Sequence, residues 1–221
     1  METPSSTMSA ARLLLLGDYH LAALLQMPEH SDLHAAFLPV NDGLRADANA
    51  RDAAERALIP VRVALRFAER NVERELRALS GACVSVDGKK GGAVQGLLFP
   101  NGLNAETRPR THKQLEAARR VLNRLHTSTP AEPLRATNEA RLTAATHALD
   151  AALNARKTAN EVLGAAIATE LSSRDDFVRA YDANAGAIRQ RLPKDKEAQD
   201  LYFDAISTRR SVEADEEEAT P

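Results

Sequence analysis

Residues 134–192 read LRATNEARLTAATHALDAALNARKTANEVLGAAIATELSSRDDFVRAYDANAGAIRQRL. Apolar or small residues recur at Leu142, Ala145, Leu149, Ala152, Leu163, Ala166, Ala185, Ile188 and Leu192, and Leu153, Ile167, Leu171, Val178 and Tyr181 widen the stripe. Steps of three and four place such residues on one face of an α-helix. The rhythm survives Ser172 to Asp176, so the spacing predicts one very long C-terminal helix of about 85–90 Å at 1.5 Å per residue. The alternative is a bend at Ser172-Ser173, where a hydroxyl competes for backbone amides as a cap. Ala145, Ala152, Ala159 and Ala166 stand seven residues apart, a seam along which a partner helix can approach closely. Arg156 and Asn160 interrupt the stripe and read as a polar layer, either a ligand contact or, the reading preferred here, a device that sets register.

The remaining chain completes an all-α reading: an elongated antiparallel helical bundle, taken as one domain over 9–207. Leu44, Ala48, Leu58, Val61, Leu65, Ala68, Val72, Leu76 and Leu79 mark a long helix over 44–79, with a kink or restart expected at Pro60, which lacks an amide donor. Residues 9–43 read as short helices broken by Pro28, Pro39 and the Asn41-Asp42-Gly43 turn. In the 80–107 connection, residues 82–86 alternate like a strand and admit a small β-hairpin over 82–99. Helices follow over 108–127, where Leu115, Ala118, Leu122 and Leu125 share a face, and over 194–207. Residues 1–8 read as a disordered start, and 208–221, with its acidic run from Glu213 to Glu218, as a disordered tail.

Composition narrows function more by exclusion than by assignment. Lys and Arg total 29 against 31 Asp and Glu, a net charge of −2, so no global field favours nucleic acid. Aromatics are 4% and Trp is absent, which removes the stacking platforms of single-strand binders. Ala and Leu supply most of the apolar content and favour helix. The excess of Arg over Lys points to a GC-rich bacterial genome. Cys83 is the one cysteine, so no disulfide closes within the chain. The apolar run at Leu13 to Leu16 is too short for a signal peptide or a membrane span. The expectation is a cytoplasmic protein with no membrane partner.

No motif implies a cofactor. His30 and His34 have the i, i+4 spacing that lets two imidazoles share one metal on a helix, with Glu29 and Asp32 nearby. The metalloprotease pattern is missing, and Pro28 puts His30 at a helix start. The long helix lacks the Glu-x-x-His elements of di-iron bundles. Gly88-Lys89-Lys90-Gly91-Gly92 lacks the spacing of a phosphate loop. Cys83 lies in an apolar segment and reads as a small buried thiol. The sequence therefore favours a non-enzymatic protein that works by helix association, as an oligomeric subunit or scaffold. A metal- or small-ligand-binding bundle centred on His30 and His34, with an enzyme among its forms, is the alternative.

Overall fold

The computed structural model describes residues 3–204. The tail reading over 208–221 and the last residues of the 194–207 helix lie outside them. The fold is all-α, with no strand among the described residues. Helix α1 spans Ala10–Leu24, α2 Ser31–Asp87, α3 Ala93–Leu98, α4 Leu103–Thr107, α5 His112–Thr127, α6 Glu132–Arg191 and α7 Lys196–Asp200, with 3-10 turns at Pro28–His30 and Thr129–Ala131. The very long C-terminal helix is α6, which passes Ser172-Ser173 without a break. There the Ser173 hydroxyl donates to the Asp47 carboxylate and gives the backbone no cap.

Helix α2 also runs unbroken where short helices and a restart at Pro60 were among the expectations. Pro39 and Pro60 are both exposed, as are Ala35 and Arg56 four residues before them, so both prolines lie on the solvent side of α2, where a helix tolerates the loss of an internal hydrogen bond best. Gly43 does not end the helix, because Asn41 and Leu44 on either side are buried by packing. The hairpin over 82–99 is not formed. Val72, Leu76, Leu79 and Cys83 are all fully buried, so the helical phase continues into residues 80–87 and overrides the local alternation. Asp87 then ends α2 and starts α3: its carboxylate accepts hydrogen bonds from the Val94 and Gln95 amides at 3.0 and 2.8 Å. Gly88 and Gly91 take the positive φ values of 68° and 69° that the turn requires.

The described chain divides into two compact units, each with its own core. Of the described residues, 3–53 and 163–204 form the first. Leu13, Leu16 and Leu24 of α1, Phe37 and Leu44 of α2, and Phe177, Tyr181 and Ile188 of α6 are sealed from solvent there, joined by Tyr202 and Phe203. Each such side chain contributes roughly 1.5–3 kcal/mol on burial. The helix pair is antiparallel in this unit: Arg191 pairs with Asp32 at 2.9 and 2.5 Å, and Arg51 with Glu170 at 2.9 Å.

The second unit comprises 54–162. Its three main helices are the C-terminal part of α2, α5 and the N-terminal part of α6, packed through Leu65, Val72, Leu76 and Leu79, Leu115, Val121 and Leu125, and Leu142, Leu149 and Leu153. Helices α3 and α4 pack on α5. Arg124 holds them by donating to the Leu98 carbonyl at 3.0 Å and to the buried Glu106 carboxylate at 2.9 Å.

Candidate association groove

Three helices leave grooves where a four-helix bundle would seat its fourth member. In the second unit α5 closes the core on one side, while α2 and α6 bound an open groove of about 980 Å³. Its floor is made of small side chains, Ala64 and Ala68 from α2 and Ala148, Ala151, Ala152 and Ala155 from α6. Phe67 stands at its edge with 73% of its surface exposed. Ile59 and Val63, also exposed, precede Phe67 at intervals of four, so the three form a second apolar stripe on α2 beside the one that faces the core. Alanine floors let a helix backbone come close, and large apolar side chains fill what small ones leave open.

The groove is cationic at one end, where Arg70, Arg74 and Arg77 line it with Glu73 as the one carboxylate. Glu73 is buried. Arg77 grips its Oε1 through Nε and Nη2 at 3.1 and 2.8 Å, and Arg70 and Arg110 reach Oε2 at 3.4 and 3.6 Å. The Arg77 hydrogen bonds hold the Glu73 carboxyl below its ordinary range against the opposing effect of burial, with the Arg70, Arg77 and Arg110 charges adding to them. Arg74 and Arg141 similarly share Glu75, at 3.2 and 3.0 Å. Of the charged residues that line the groove, three are arginines and one is a carboxylate, which leaves a positive surplus there.

The residues singled out from the sequence fall in several places. Ala145 is buried in the second core, Ala152 is half-buried on the groove floor, and Ala159 and Ala166 are half-buried further along α6. Arg156 and Asn160 line a smaller cleft with His112, Lys157 and Glu161. His30 and His34 do not share one helix: His30 closes the 3-10 turn and His34 is half-buried in the first turn of α2. Arg191 donates to His30 Nδ1 at 3.1 Å, so a guanidinium already occupies that ring nitrogen. Among the described residues no three His, Cys, Asp or Glu side chains gather as a metal site requires.

The sequence reading passed over His20, the most enclosed polar residue of the first unit. Its Nδ1 lies 2.9 Å from the Tyr202 carbonyl and its Nε2 3.0 Å from Asn184 Nδ2. The carbonyl must accept and the amide must donate, which fixes the proton on Nδ1. Phe203 stacks on the ring at 4.8 Å and Phe37 meets it edge-on at 5.2 Å. Burial lowers the His20 pKa, opposed by the Tyr202 carbonyl and aided by His34. Its spacing from Leu13, Leu16 and Leu24 was the available signal, since it falls on their stripe. All its ring atoms are committed to the core, so it serves structure.

Compared with known proteins, the chain matches no family model, no curated protein and no solved structure. No helix of the described residues is long and apolar enough to cross a membrane.

Proposed function

We propose that this is a non-enzymatic association protein whose α2/α6 groove is covered by a second copy of the same chain. The observation that carries the reading is Phe67, a large exposed side chain beside a floor of six alanines. A two-fold interface needs one surface that carries both the protruding group and the hollow that receives it. Here both lie on the same two helices, so each copy's Phe67 has an alanine floor to enter. Dimerisation would complete a helix layer that three helices leave open.

Light scattering coupled to size exclusion tests this over a wide concentration range. The wild type should run as a dimer, and Phe67→Ser and Ala151→Arg should each yield monomers with unchanged helicity. A wild type that stays monomeric at every concentration would overturn the reading. A second occupant is supported by the arginine surplus: a partner protein's amphipathic helix with acidic flanks, whose binding added salt would weaken.

A further inference from the structure

The first unit holds a cavity of its own, about 480 Å³, within the range of roughly 300–1,000 Å³ usual for small-molecule sites. Tyr19 and Ala22 from α1, Met27 after it, Leu192 after α6, and Leu201 and Tyr202 after α7 make its apolar walls. Tyr19 Oη donates to the Leu201 carbonyl at 3.3 Å, which ties two of these walls together. Tyr19, Met27 and Leu201 remain 43%, 48% and 70% exposed, so apolar surface is left for an occupant to cover.

One charged side chain lines the cavity, the carboxylate of Glu29. Its Oε1 lies 3.7 Å from His30 Nε2, outside hydrogen-bond range. His30 Nδ1 accepts from Arg191, so Nε2 carries the proton, and this buried N–H has no hydrogen-bond partner. Arg191 in turn is held by both oxygens of Asp32. The Arg191 guanidinium, held by Asp32, also donates to the Glu29 carbonyl at 3.1 Å and its charge reaches the Glu29 carboxylate, which is 69% exposed and is left without a cation among the residues that line the cavity.

An apolar cleft with one negative group complements an apolar molecule with one positive group. We infer that this cavity binds an organic ammonium with an apolar tail, the tail against Tyr19, Leu192, Leu201 and Tyr202 and the ammonium on Glu29. This site is separate from the association groove and does not depend on it.

Isothermal titration of the full chain with 4-phenylbutylammonium, 4-phenylbutanol and 4-phenylbutyrate tests charge and tail separately. The ammonium should bind at least about tenfold more tightly than the carboxylate, a difference of about 1.4 kcal/mol. Glu29→Gln should remove that preference and keep binding of the alcohol. Ala22→Trp, at an exposed position that tolerates bulk, should fill the cavity and abolish binding of all three, with an unchanged helical signal showing that it folds. No saturable binding of the ammonium by the wild type, equal affinity for ammonium and carboxylate, or a preference that survives Glu29→Gln would each overturn the inference.

Discussion

Gly17 of α1 and Asn41 of α2 meet so closely that a Cβ on the glycine would lie 2.1 Å from Asn41 Oδ1 and 2.8 Å from the Phe177 ring. The glycine is there for the space it leaves open, and α1 runs through it without interruption. Asn41 is itself buried and donates to Asp18 at 2.9 Å, so it has little freedom to retreat. Gly17→Ala should therefore cost about 1–3 kcal/mol despite alanine's better helix propensity. Urea unfolding followed by circular dichroism checks this, and a stabilised variant would show the contact to be loose.

His20 should give the protein a stability that declines in mild acid. Its folded pKa lies below the ordinary 6.5, chiefly because burial penalises the charged ring. The unfolded chain therefore binds the proton more readily, and stability is full above about pH 6.5 and falls as pH drops toward the folded pKa, by up to about 1.4 kcal/mol per pH unit. Melting curves between pH 7.5 and 5.5 should show the decline. His20→Gln should lower stability overall and flatten the slope over that interval. An unchanged slope in the variant would assign the decline to another group.

Cys83 should be inert in the folded protein. It is fully buried, and burial, with Asp87 nearby, pushes its thiol up to about 11, so thiolate is scarce at neutral pH. A thiol-reactive chromophore should label no cysteine in native buffer and one per chain in denaturant. Fast labelling of the native state would mean that the end of α2 opens readily.

The dimer proposed above brings Arg70, Arg74 and Arg77 of two copies toward one interface, with only Glu73 per copy lining the groove to offset them. Like charges repel, and salt screens that repulsion more than it affects apolar burial. Association should consequently strengthen between low and moderate ionic strength, as sedimentation equilibrium would measure. Weakening with salt would instead favour an acidic partner helix.

The long rhythm of α6 was legible because packing and periodicity agree there: Leu142, Ala145, Leu149 and Leu153 lie on the predicted stripe and are buried. Pro39 and Pro60 misled because a proline's effect depends on which side of the helix it occupies, and both lie on the solvent side of α2. Residues 82–86 misled because a short alternation is compatible with either period until the flanking residues decide, and Val72 to Cys83 decide for helix. The groove was hidden for a different reason. Ile59, Val63 and Phe67 are visibly four apart in the sequence, but exposure depends on which helices stand opposite, and that is set by tertiary packing. The division into two cores was hidden because one unbroken helical stripe serves both.

The second unit is built from one uninterrupted stretch, 54–162, whereas the first needs residues 3–53 together with 163–204. During synthesis on the ribosome, every part of the second core has been made before Phe177, Tyr181 or Tyr202 exists to cover α1. The usual order, in which the N-terminal part of a chain settles first, is thus reversed. Leu13, Leu16 and Phe37 are made early, and the aromatic residues that complete their core follow only after the whole of the second unit.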